Sequence, residues 1–256
     1  MERENMVKSV SRALDIIRLV SEKKGGLGVT EIANQMDINK SSVFRILSTL
    51  AQYGYIEQDA ETGRYKLGYA FLAISSKLLD SIDLRSEARS FLLELEKETN
   101  EVIHLVVYDQ GEVVYIEKLE GNETLRMHSK VGKRAPMHCT SVGKAILANL
   151  PEKEVEDILA KRGLPKHTDK TITDAEAMKQ ELAMVREKGY ALDNEENEPG
   201  ITCIAVPIFD HLGKACAAIS ISGPTIRMTE ERLGYLHDRM IEAGKQISAR
   251  LGHSSF

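Results

Sequence analysis

Asn39, Lys40, Ser41, Ser42 and Arg45 place an amide, two hydroxyls and two cations within seven residues, while Val43, Ile46, Leu47 and Leu50 recur at helical spacing on another face. Donors of this kind hydrogen-bond base edges and phosphate oxygens, and the cations supply a sequence-independent attraction to the backbone. From Ile38 to Ile56 no Asp or Glu interrupts the stretch. Thr30 lies one short helix upstream and Arg64 at the foot of a turn downstream, both candidates for the same contacts. The chemistry is recognition of a polyanion, double-stranded DNA, with no bond made or broken.

Bond-breaking chemistry has a weaker claim. Cys139 follows His138, yet nothing in the spacing assembles a base, an orienting acid and an oxyanion hole around Cys139 or Cys203. Ser141-Val142-Gly143-Lys144 lacks the GxxxxGK[ST] pattern of a phosphate loop. His104, His128 and His138 share no ligand spacing on one element, so no metal site is expected. No cofactor is expected either.

The elements that must position the first group can be read locally. Thr30 to Met36 is a short helix with Thr30 as N-cap and Ile32, Ala33 and Met36 inward. Asp37-Ile38-Asn39 supplies a turn, a second helix opens at Asn39 or Lys40 and runs to about Tyr53, and Gly54 ends it. Tyr55-Ile56-Glu57 and Arg64-Tyr65-Lys66-Leu67 alternate around the turn cluster 59–63. Two helices followed by a hairpin make a winged helix-turn-helix whose second helix enters the major groove. Upstream, Val7 to Glu22 is amphipathic, with Val10, Leu14, Ile17 and Ser21 expected on the face that backs the pair. Downstream, Gly68 to about Asp80 is helical and almost wholly apolar, which suits packing against a second copy. The organisation expected is 1–68 for the DNA-binding domain, 69–82 for a linker helix and 83–256 for the remainder.

A net charge of −5 looks wrong for a DNA binder until the chain is divided. Residues 1–68 carry 10 Lys and Arg against 9 Asp and Glu, and the rest carries 24 against 30. The DNA part is nearly neutral, with cations concentrated at Lys40, Arg45, Arg64 and Lys66, so specificity rests on few contacts and on doubling them. With 256 residues, 42% of them hydrophobic, there is material for two cores. No run of about 18 uncharged apolar residues occurs, and the N-terminus lacks a signal-peptide pattern. Cys139, Cys203 and Cys216 are odd in number without CxxC spacing, as in a reducing cytoplasm.

From Asp83 a second domain is expected. Leu84–Thr99 is a helix with Ala88, Phe91, Leu92 and Leu95 inward, and Val102–Tyr108 and Val113–Leu119 are strands around Asp109-Gln110-Gly111. A third strand is expected over Thr124–Ser129, and helices over Ser141–Leu150, Glu152–Arg162 and Asp174–Lys188. Ile201–Phe209 and Ala215–Ser222 are central strands, and a closing helix runs from Met228 or Thr229 to Leu251. The pattern is α+β, a mixed sheet flanked by helices. Lys133 to Lys144 is a cationic, small-residue loop running into a helix start, a ready anion site. Ser220 and Ser222 alternate with Ile219 and Ile221, so both hydroxyls share one face of a strand.

In this order the elements resemble the IclR family of bacterial transcriptional regulators. The resemblance rests on TEIA with its serine-led second helix, GRYKLG, GKRAPMHCTSVGKAILA, GYALDNEENEPGITCIAVPIFD and AAISISGPTIRMT, and spans about Val7 to Leu251. It implies a GAF/PAS-like effector-binding domain, a homodimer or homotetramer, and operator affinity set by a small molecule, often a carboxylate or aromatic acid of a catabolic pathway; the expectation here is a carboxylate or sugar acid, with the protein acting as repressor of a catabolic operon. By the same resemblance Ser141 and Val142 offer backbone amides to the effector, Asp193, Cys203, Ser220 and Ser222 contact it, and Met127 and Ile201 form apolar walls.

Two other readings stay open on the residues alone. One is an enzyme with Cys139 or Cys203 as nucleophile beside His138. The other is a DNA-binding protein with no effector, which a broad metabolite panel would leave unchanged in thermal stability.

Overall fold

The computed structural model describes residues 6–121 and 129–253. The chain divides into two compact units, Met1–Ile82 and Asp83–Phe256. Met127 and the strand expected over Thr124–Ser129 lie wholly or almost wholly outside the described residues.

The first unit runs α1 (Lys8–Ser21), α2 (Val29–Met36), α3 (Lys40–Gln52), β1 (Ile56–Gln58), β2 (Tyr65–Leu67) and α4 (Ala70–Ser81). Asp37 takes the left-handed conformation (φ 52°) that turns α2 into α3. β1 and β2 form the antiparallel wing, and Leu27 exchanges both backbone hydrogen bonds with Tyr65 at its root. Gly26 there has φ +69°, and a Cβ would stand 2.5 Å from the Tyr65 carbonyl oxygen, so no side chain fits. Ile16, Val20, Ile32, Val43, Leu47 and Ile56 make the core.

Two expectations about this unit are corrected. Thr30 does not cap α2: Gly28 occupies the N-cap, and the Glu31 carboxylate accepts from its amide at 2.7 Å, while Thr30 stands exposed in the first turn. α1 buries Ile16 and Val20 rather than Val10 and Leu14, which are 57% and 61% exposed. The helix carries two apolar stripes, and periodicity alone could not choose between them. α4 has no buried residue at all, and Leu72 and Leu78 are largely exposed on it.

The second unit runs α5 (Leu84–Thr99), β3 (Val102–Asp109), β4 (Glu112–Leu119), β5 (Arg134–Ala135), α6 (Ser141–Leu147), α7 (Glu152–Arg162), α8 (Ala175–Lys188), β6 (Ala191–Asn194), β7 (Ile201–Phe209), β8 (Ala215–Pro224) and α9 (Glu230–Arg250). The sheet order is β5-β4-β3-β8-β7-β6, and every described pairing is antiparallel, so the mixed sheet is corrected. A parallel neighbour needs a crossover that returns beside the strand it left. Here the helical segment from α6 to α8 links β5 to β6 at opposite edges. α5 and α9 pack on the sheet, and α6 packs against β7 and β8. Among the described residues no helix is long and apolar enough to cross a membrane.

Candidate functional site

α3 presents the first set of residues. Asn39 is its N-cap: the side-chain oxygen accepts from the Ser42 amide at 2.8 Å and from the Ser41 hydroxyl at 2.9 Å. Lys40, Ser41 and Arg45 are exposed on the first turns, and Ser42 is half-buried. A helix with its polar N-terminal turns outward and Val43 and Leu47 in the core has the form that enters a major groove. Arg64 sits at the foot of the wing, 40% exposed, and is also held within the fold. Its guanidinium donates to the Gly25 and Gly26 carbonyls at 3.0–3.2 Å and pairs with Glu31 at 2.9 Å, tying the wing to α2. The same unit has an open apolar groove of about 1110 Å³, bounded by Val10, Leu14, Phe44 and Phe71. Sequence reasoning missed Phe44, which is 55% exposed beside Arg45.

The second unit holds a cavity of about 310 Å³ between the sheet and the start of α6. The register explains its floor. Opposed residues of antiparallel strands share a face, and Asp193 pairs with Cys203, Cys203 with Ser222, and His104 with Ser220. A bulge between Leu105 and Val106 then sets Tyr115 opposite Val106, on that same face. Ser141, Val142, Asp193, Ile201, Cys203, Ser220 and Ser222 all line the cavity, as do His104 and Tyr115. Thr140 caps α6, accepting from the Gly143 amide at 3.2 Å and donating to the Pro136 carbonyl at 2.6 Å.

His104 was not among the candidates for this pocket, although it faces both serines. Its Nδ1 lies 3.3 Å from the Ser220 hydroxyl and 3.4 Å from that of Ser222, and its Nε2 is 2.8 Å from the Ser129 hydroxyl. Burial, aided by the Lys118 charge, pushes its pKa down to about 3, so the ring is neutral at physiological pH. A neutral imidazole has one donor and one acceptor, which orders the hydroxyls around it. Alternation of His104 with Ile103 and Leu105 on a strand was the available signal.

Asp193 reads in isolation as part of a solvated acidic loop, but β6 carries it inward to 4% exposure. Burial pushes its carboxyl up to about 7, against hydrogen bonds from the Glu196 and Asn197 amides at 2.8 and 3.3 Å. Lys144 lies 1% exposed and donates to Glu196 at 2.6 Å and Glu181 at 2.8 Å, binding α6 to α8 and to the β6–β7 loop. Its cation is spent inside the fold. Burial raises the Cys139 thiol to about 12, which keeps it protonated and a poor nucleophile. The arrangement suits binding a small polar molecule: hydroxyls, a neutral imidazole and a buried carboxyl line the cavity, with Val142 and Ile201 among its few apolar residues.

Comparisons with known proteins agree with both halves. Residues 9–60 match the family described as the IclR helix-turn-helix domain, and residues 76–249 match the bacterial transcriptional regulator IclR C-terminal family. The HTH-type transcriptional regulator XynR of Escherichia coli is 38% identical over 248 residues, 97% of this chain and 98% of that one. The HTH-type transcriptional regulator KdgR of the same organism is 37% identical over 255 residues, covering 100% and 97%. The crystal structure of Thermotoga maritima IclR matches with a TM-score of 0.66 at 36% identity, covering 96% of this chain and 99% of that one.

Proposed function

The chain belongs to the IclR family of bacterial transcriptional regulators and is a DNA-binding regulator; from that premise we propose that the cavity of the second unit senses a small hydroxylated carboxylate and sets operator affinity. The observation that carries this is the row Asp193–Cys203–Ser222, continued by Ser220 and His104, beneath the Ser141–Val142 turn. Hydroxyls and a neutral ring match alcohol groups, and a protonated Asp193 donates to a carboxylate oxygen. At about 310 Å³ the space stands at the small end for ligand pockets, which suits a sugar acid better than a larger aromatic.

DNA contact is assigned to α3, with Arg45 and Lys40 as the cations and Ser41 and Ser42 at its N-terminal turn. Thr30 supports the neighbouring backbone contact, and Arg64 holds the wing in place. A near-neutral reader gains affinity by doubling, so two copies set their α3 helices about 34 Å apart on a near-palindromic operator. The bare faces of α4 and of Val10 and Leu14 supply apolar surface for that homodimer, and a tetramer follows if the second units also pair. The protein works in the cytoplasm as a repressor of a catabolic operon. The effector must prefer one arrangement of the dimer to shift it.

A thermal-shift panel of sugar acids and small carboxylates, followed by operator binding with and without each hit, tests the reading. A hit should raise stability and change operator affinity. If Ser220→Ala with Ser222→Ala leaves that response intact, the pocket assignment is wrong.

A further inference from the structure

We propose that His138, Cys139 and His167 form a zinc-binding site beside the cavity. Their ligand atoms lie within 4.8 Å of one another, although they come from two segments, the turn before α6 and the α7–α8 loop. Zn–N of about 2.1 Å and Zn–S of about 2.3 Å place tetrahedral donors about 3.4–3.7 Å apart. Closing onto an ion therefore takes about 1 Å of movement, and His167, which is exposed, can supply it.

The surroundings already orient the donors. His138 Nε2 sits 3.0 Å from the Pro165 carbonyl, which only accepts, so Nε2 carries the hydrogen and Nδ1 keeps its lone pair. A carbonyl that accepts from the other ring nitrogen is a usual outer-shell partner of a metal-ligating histidine. Pro165 is two residues from His167, so the same bond holds both ligand segments together. The Thr168 and Thr171 hydroxyls fasten that loop further, donating to the Glu195 and Glu196 carbonyls at 2.7 and 2.6 Å. On binding, the Sγ–H bond breaks, the proton leaves to solvent and the thiolate bonds the metal.

The donor set of two imidazoles and one thiolate selects zinc over magnesium or calcium. Three protein ligands leave a fourth position for water. His167 also lines the cavity, so a carboxylate bound there can take that position; this last step alone rests on the effector reading.

The test uses the full chain, reduced, chelator-treated and without DNA or effector. Titration with zinc against a chromophoric chelator should show one tight site per chain. Cobalt in its place should give a sulfur-to-cobalt charge-transfer band with tetrahedral visible bands. His167→Ala, at an exposed position, removes a direct ligand and should weaken zinc affinity by at least the roughly 10- to 100-fold typical of losing an outer-shell partner, and Cys139→Ser should abolish the charge-transfer band. The proposal is overturned if wild type shows no such band, or if His167→Ala binds zinc as wild type does. Both readouts are independent of operator release, so failure here leaves the effector reading standing, and the reverse.

Discussion

Replacing Lys144 with Met puts the interior of the second unit to a quantitative test. The side chain is 1% exposed, and its two partners, Glu196 and Glu181, are 9% and 21% exposed. Methionine retains most of the aliphatic stem, so the loss is chiefly of the charge. Glu196 Oε2 is already buried without a hydrogen-bond partner among the described residues, and burial already holds that carboxyl above its usual range. Removing one member of such a pair leaves an uncompensated charge, typically costing about 3–5 kcal/mol. At about 2–4 °C per kcal/mol for a unit of this size, the melting temperature should drop by roughly 6–20 °C. Glu196 escapes the penalty by taking up a proton. Its folded pKa in the variant rises further above the unfolded value, so stability is retained at low pH and lost as pH climbs through the neutral range. Urea unfolding of chelator-treated wild type and Lys144→Met at pH 5 and pH 8 measures this. The deficit should be larger at pH 8, and Lys144→Met with Glu196→Gln should recover part of it. A deficit below about 1 kcal/mol at both pH values, or one that ignores pH, would refute the claim that the charge on Glu196 depends on Lys144.

Other outcomes follow from the same geometry. Arg45→Ala should weaken operator binding by about 1–3 kcal/mol per copy with little change in melting temperature. Arg64→Ala should instead lower the stability of the first unit, because its guanidinium ties the wing to the Gly25 and Gly26 carbonyls; mobility-shift titrations beside thermal melts separate the two. His104 should show no imidazole titration by NMR between pH 5 and 8. Because its folded pKa lies below the unfolded 6.5, the stability from its neutral form is present above about pH 6.5 and drains away as pH falls towards 3, by roughly 2 kcal/mol at pH 5. Leu72→Glu with Leu78→Glu should leave the fold intact, since α4 buries no residue, yet reduce dimer content in analytical ultracentrifugation and weaken operator binding with it.

Local chemistry in the chain determined a good deal. The Asp37 turn, the opening of α3 at Asn39 and Lys40 and the Gly54 stop are decided by neighbours a few residues away, and each stands where the sequence places it. Hydrophobic period likewise defines α5, α7, β7 and β8 nearly to the residue. Ser220 and Ser222 share a face because strands alternate, whatever surrounds them. Tertiary structure decided which faces turn inward and which partners distant groups meet. α1 turned Ile16 and Val20, not Val10 and Leu14, into the core that Val43, Leu47, Ile56 and Tyr65 complete. Arg64, still 40% exposed, found carbonyls 38 and 39 residues back. His104 met a serine 116 residues away. Asp193 left an acidic run for a buried edge strand. His138 and Cys139 gained His167 as a neighbour across two helices. Local periodicity and capping act over a turn or two, whereas burial and ion pairing depend on which segments the fold brings together. The polar side chains of α3 were therefore readable in the chain, and the shape and charge of the cavity were not.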